Sequence, residues 1–223
     1  MVDANSHDMS LGPRLARTLG LAAGCLALSL FSAEFMRLPS HVSMFWATNA
    51  LAAGLILRWG LDAAAVRVAT AVIAIVCAIL LTGGDALTAA ALGLASGLEI
   101  AAALGLLRVM GWTYAGMPSV KRFLQALAAI GAVAPVVGAL AIAVAFQLLG
   151  RPPSAELLQT WWTASMIGAV AILPMVLTFR TALAGEPTKF RDCARPEFLG
   201  TIGLAVATTI AALQLTYYPF VLM

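Results

Sequence analysis

The chain has 223 residues, of which 62% are hydrophobic and 10% charged, with a mean hydropathy of +0.97; an ordinary soluble domain carries roughly 25% charged residues. That composition excludes a water-soluble domain and specifies a membrane protein. The formal net charge of +3 reflects basic loops at the membrane surface and requires no nucleic-acid partner.

A helix needs about 20 apolar residues to cross a hydrocarbon core of about 30 Å, so the spans are read from uncharged runs. After a polar tail over 1–13, these are Thr18–Ala33, Leu38–Leu57, Val68–Gly84, Ala86–Leu107 (broken only by Glu99), Phe123–Gly150, Leu157–Phe179 and Phe198–Met223. Backbone amides cannot go unpaired in lipid and the runs lack the period-two alternation of an outer-membrane barrel, so each is predicted helical. The expected fold is a single all-α domain over 1–223, a polytopic membrane bundle of seven transmembrane helices. The ending "LTYYPFVLM", with its turn signal at Tyr218-Pro219, reads as the opening of an eighth helix that is cut off.

Orientation follows from the bias of Lys and Arg toward the cytoplasmic side. Arg14, Arg17, Arg58, Arg67, Arg108, Lys121, Arg122, Arg180, Lys189, Arg191 and Arg195 fall on one side of the predicted bundle, whereas Arg37 and Arg151 fall on the other. The N-terminus is therefore expected inside, with 180–197 as the longest cytoplasmic loop, in a multi-pass protein of the bacterial inner membrane. Trp59, Trp112, Tyr114, Trp161, Trp162, Tyr217 and Tyr218 sit at or near span ends, where amphipathic rings prefer the headgroup level. "LAAGC" at Leu21–Cys25 and "FSA" at Phe31–Ala33 imitate processing signals, but the apolar run continues past Cys25 and six further spans follow, so the first helix reads as an ordinary start.

Catalytic and metal chemistry have little footing. Cys25 and Cys77 lie in spans, Cys193 lies in a loop, and His7 and His41 occupy the tail and a span edge; no metal-ligand spacing or disulfide frame results. Nor is there a phosphate-binding loop, a nucleophile elbow or a paired-carboxylate motif. The expectation is a non-enzymatic chain without cofactor.

What remains is polar chemistry inside the spans. Glu99 lies nine residues before Arg108, about 14 Å from the cytoplasmic end at 1.5 Å per residue and so near the midplane. Ser96 shares its face, and Gly93, Gly97, Ala101 and Gly105 form a small-residue ridge on roughly the opposite side. Glu99 either lines a polar cavity or, protonated, acts as structural glue to a neighbouring helix. Trp46 and Asn49 are spaced i to i+3 in the outer half of the second span. Trp161, Trp162, Ser165 and Gly168 repeat the pattern in the sixth. The second, fourth and sixth spans all run inward, so their polar residues are placed to converge between midplane and periplasm. For the tryptophans the competing reading is interfacial anchoring, and for Asn49 an interhelical hydrogen bond. Pro135 and Pro174 are expected to kink the fifth and sixth spans.

These stretches resemble a known family. "FWATNALAAGLILRWG", "ALGLASGLEIAAALGLLR" and "WWTASMIGAVAILPMVL" are similar to the second, fourth and sixth helices of the bacterial membrane-associated sensor domain of the first type, the MASE input module. The resemblance runs from the first helix to Met223. By position it assigns motif roles to Trp46, Asn49, Glu99, Trp162, Gly168 and Pro174. The chain departs from the pattern where Ala47 and Ala50 replace a proline and a glycine, Ser96 an asparagine and Ser165 an aspartate. The resemblance implies eight helices, a small-molecule ligand or membrane-protein partner, and relay to a cytoplasmic histidine kinase or cyclic-dinucleotide effector. The alternative from another class is a small-solute or proton-coupled transporter with Glu99 as its protonatable group, although the chain has no internal repeat or matched broken helices.

Overall fold

A computed structural model describes residues 11–35, 46–114 and 119–178. Among them the chain is entirely helical outside its turns: α1 (Leu11–Phe35), α2 (Thr48–Trp59), α3 (Ala64–Leu81), α4 (Ala86–Val109), α5 (Val120–Leu127), a π-helical segment (Ala128–Val133), α6 (Ala134–Leu148) and α7 (Ala155–Thr178). The helices begin and end where local chemistry directs. The carboxylate of Asp85 accepts the Thr88 N–H at 2.9 Å and the Thr88 hydroxyl at 2.6 Å, capping α4, while Ser119 and Ser154 cap α5 and α7. The α3, α4 and α6 ends share one closure, in which a residue just past the helix donates its N–H five positions back along the chain: Gly84 to Ile79 O, Trp112 to Leu107 O and Arg151 to Phe146 O. This closure needs a left-handed residue next to the last turn, supplied by Gly83, Gly111 and Gly150 at φ 83°, 65° and 69°.

Five helices are long and apolar enough to cross a membrane: Gly12–Glu34, Ala64–Leu81, Ala86–Val109, Val120–Leu148 and Ala155–Leu177. Exposed Ile73, Leu80, Leu87, Leu94, Leu98, Leu140 and Val144 clothe the outside of α3, α4 and α6, an apolar surface that water would not tolerate and lipid would. The core is built of alanines and other small residues, including Ala52, Ala53, Ala71, Ala78, Ala89, Ala103 and Ala169, which let helix backbones approach closely in a solvent that gives no hydrophobic drive to helix association.

One expectation is not confirmed and one is corrected. The described residues hold five helices long and apolar enough to cross a membrane and do not confirm seven; of the second predicted span they include α2 over Thr48–Trp59, 12 residues, or about 18 Å at 1.5 Å per residue, while 38–45 lie outside them. Ala47 is the N-cap of α2, and the Trp46 N–H donates to the carbonyl of Ala164 in α7 at 3.2 Å, so the start of α2 is held against α7. The first helix begins at Leu11 instead of Thr18, so the end of the predicted tail is helical. The seventh span, the 180–197 loop and the start of an eighth helix lie outside the described residues.

α4 runs through the middle of the bundle, packed on α3 by one side and on α6 by the other. A methyl at Gly93 or Gly97 would meet Val76 Cγ2 at 2.5 Å or Val72 Cγ2 at 2.6 Å, so both glycines bring α4 against α3; Gly105 has nothing within 4 Å, and the ridge ends before it. In the fifth predicted span the bend takes the form of a π segment immediately ahead of Pro135, where Ala134 N–H bonds back five residues to Ala129 O. A proline lacks the N–H of a regular turn and collides with the carbonyl four residues earlier, and a one-residue insertion of this kind accommodates it.

Candidate functional site

The polar interior is assembled where α2, α4, α6 and α7 meet. From α4, Glu99 is 2% exposed and Ser96 fully buried. From α7, Trp161 Nε1 donates to Glu99 Oε2 at 2.8 Å, and the Ser165 hydroxyl donates to the same oxygen at 3.4 Å. Trp161 and Ser165 are four residues apart on α7, hence on one face. From the start of α2, Trp46 Nε1 donates to Asn49 Oδ1 at 3.3 Å, and its ring lies 6.4 Å from that of Trp161, tilted by 34°. The Asn49 amide lies close enough to act on the Glu99 carboxyl, yet its Nδ2 completes no hydrogen bond of proper geometry, and neither does Ser96 Oγ. Two buried polar groups without partners cost free energy of order 1–3 kcal/mol each, which an internal water bridging them would relieve.

Glycines set the closeness of this cluster. A Cβ on Gly138 of α6 would collide with Glu99 Oε2 and lie 2.6 Å from Trp161 Nε1, so α6 closes over the Glu99–Trp161 bond only because position 138 has no side chain. A Cβ on Gly168 of α7 would collide with the Trp46 carbonyl oxygen and lie 2.7 Å from Ala47 Cα, so the backbone leading into α2 is seated on Gly168. The hydroxyls of Thr48 and Ser29 are hydrogen bonded at 2.9 Å, tying the start of α2 to α1 as well.

Of the predicted residues, Trp46, Asn49, Ser96, Glu99 and Ser165 are thus brought together. Trp162 is not among them: its Nε1 donates to the carbonyl of Ala132 in the π segment at 2.9 Å, where it satisfies backbone disturbed ahead of Pro135. Pro174 is buried in the last part of α7. Trp161 and Gly138 were outside the predicted site. The i to i+4 spacing of Trp161 and Ser165 was available to single out the first; Gly138 carries no signal, since its neighbours are read only in three dimensions.

Beside the cluster a cavity of about 690 Å³ opens at the α3–α4 turn and the α6–α7 connection, with Trp46 and Trp161 among its lining residues. At its mouth Arg151 Nη1 reaches Asp85 Oδ2 at 3.4 Å and Thr88 Oγ1 at 3.0 Å. Hydrogen bonds from Thr88, reinforced by Arg151, lower the Asp85 carboxyl from its ordinary value to about 2. Among the described residues no group of three or more His, Cys, Asp or Glu side chains is placed to hold a metal ion.

The opposite end of α2 grips α7 again. Arg58 donates to Val176 O at 2.9 Å, the Tyr114 hydroxyl donates to Leu177 O at 3.2 Å, and the Arg58 guanidinium lies 5.7 Å from the centre of the Tyr114 ring. The last carbonyls of a helix have no partners within it, and a cation there also meets the negative end of the helix dipole. Between the two grips, a methyl on Gly54 would lie 2.9 Å from Val176 Cγ1, so α2 is seated on α7 at this end as well.

A family model described as MASE1 matches residues 15–223. No curated protein and no solved structure matches the chain.

Proposed function

The chain belongs to the MASE1 family, a membrane-embedded sensory input domain, and from that premise we propose that it detects a small ligand or membrane partner on the cavity side and relays the event through α2 and α7 to a cytoplasmic effector beyond Met223. The carrying observation is the buried meeting of Trp161, Ser165 and Glu99 directly under the cavity floor. A stimulus that displaces the Trp46 or Trp161 ring acts on a hydrogen bond to a buried carboxyl. It also acts on α2, whose first residues carry Trp46 and whose last residues hold the end of α7. Such a stimulus moves the helices only insofar as it binds one packing arrangement better than the other.

The test is a comparison of effector output in the native full-length protein, before and after stimulation of the host, for the parent and Glu99→Gln. The amide keeps the side chain's size and its capacity to accept from Trp161 while removing its charge and proton chemistry. Expected is normal membrane insertion with loss of the response. An unaltered response removes Glu99 from the relay, and solute accumulation by the purified chain in liposomes replaces the sensory reading with transport.

A further inference from the structure

We infer that the cavity above the Trp46–Trp161 pair is a binding site for an organic cation, a quaternary or protonated amine carrying an apolar body. The inference rests on the sensory reading and adds the chemical class of its ligand.

Three features carry it. First, the volume of about 690 Å³ falls within the range of about 300–1,000 Å³ occupied by small-molecule sites. Second, both indole N–H groups of the floor are directed away from the cavity, Trp46 Nε1 to Asn49 Oδ1 and Trp161 Nε1 to Glu99 Oε2. The floor therefore offers carbon surface and π-electron density and no hydrogen-bond donor. Such a floor takes an apolar group or a cation, because the ring quadrupole is negative on its faces.

Third, among the described residues the charged lining of the cavity is acidic on balance. It consists of Asp85, Arg151 and Glu156, and Arg151 Nη1 is engaged by Asp85 and Thr88. Glu156 has no ion pair among the described residues and is exposed. It lies five residues ahead of Trp161 on α7, about 7.5 Å along the helix axis and about 140° around it, and both residues line the same cavity. An ammonium group paired with Glu156 therefore leaves its apolar body inside the cavity that the two indoles line. A carboxylate ligand would share Arg151 with Asp85 and would meet the negative charges of Asp85 and Glu156.

The experiment uses the full chain in nanodiscs of zwitterionic lipid, titrated with benzyltrimethylammonium and separately with benzoate, and read by tryptophan emission. Expected is a saturable change with benzyltrimethylammonium alone, weakened at least tenfold by Glu156→Gln, an exposed substitution that leaves the core intact. Trp46→Phe weakens the same titration by a smaller factor, since it keeps a smaller aromatic face. Saturable binding of benzoate, binding of the ammonium probe that Glu156→Gln does not weaken, or no saturable binding of either probe overturns the assignment. None of these outcomes depends on an effector, so they are distinguishable from failure of the sensory reading, which is decided by the output of Glu99→Gln.

Discussion

Gly138→Ala puts a single methyl group where α6 passes over the Glu99–Trp161 bond. Without rearrangement that methyl lies 2.6 Å from Trp161 Nε1 and 3.2 Å from Glu99 Cβ, in collision with Glu99 Oε2, whereas ordinary contact between carbon atoms is about 3.5–4.0 Å. The carboxyl and the indole have to part by about 1 Å to restore contact distances, or α6 has to lift off α4. Overpacking of this kind costs about 1–3 kcal/mol. Losing an interhelical hydrogen bond in a membrane costs about 0.6–2 kcal/mol, and exchanging glycine for alanine within a helix returns about 1 kcal/mol. The net is a destabilisation of about 2 kcal/mol, a factor of about 30 in the unfolding equilibrium. Reversible unfolding in mixed micelles, followed by tryptophan emission, measures it. Gly105→Ala is the control, because a methyl there has nothing within 4 Å and only the helix-propensity gain remains. If Gly138→Ala is as stable as Gly105→Ala, α6 does not close over Glu99 and the geometry of the site is refuted.

Three further outcomes follow from the same contacts. Tyr114→Phe removes the hydroxyl that donates to Leu177 O and is expected to cost about 0.5–1.5 kcal/mol, with faster amide exchange confined to the last turn of α7. Trp162→Phe leaves the ring but withdraws the donor from Ala132 O; exchange is expected to quicken over 128–136 while the Glu99–Trp161 bond persists, and loss of both together would contradict the separate roles of the two tryptophans. Folding lowers the Asp85 carboxyl from 3.8 to about 2, so its contribution is fully present above pH 3.8 and lost as the pH falls from there through about 2. Amide exchange at Thr88 should rise over that window, and Asp85→Asn should abolish the pH dependence.

The helical, membrane-embedded character of the chain was legible because it is written in composition and in uncharged runs, properties that average over many residues. The seat of the start of α2 was not. Hydropathy treats Leu38–Leu57 as one run, and nothing local to Trp46 or Ala47 announces that they are held by a backbone bond to Ala164 and a close approach to Gly168, both more than a hundred residues away. Glu99 stood out from sequence since a carboxyl in an apolar helix is costly wherever it lies. Its partner was harder to choose, because Trp161 and Trp162 are adjacent and a helix sends adjacent side chains about 100° apart. Pro135 announced a distortion in the fifth span, but not that it would take the form of a π segment, nor that the Trp162 indole would donate to a carbonyl within it.

In the proposed relay, the shortness of α2 bears on how a change at the cavity is carried through the bundle. A helix spanning the full membrane is anchored at both surfaces by its own interfacial residues and resists displacement along its axis. α2 has one end in the interior, and that end carries Trp46, Thr48 and Asn49. Its other end carries Arg58, bound to Val176 O, and Trp59, whose ring lies 5.7 Å from the Arg67 guanidinium. α7 meets it at both levels, through Ala164 and Gly168 above and Val176 below. A ligand that reorients the Trp46–Trp161 pair therefore loads α2 and α7 at the same level, and any relative slide between them is resisted at the far end by the bond from Arg58.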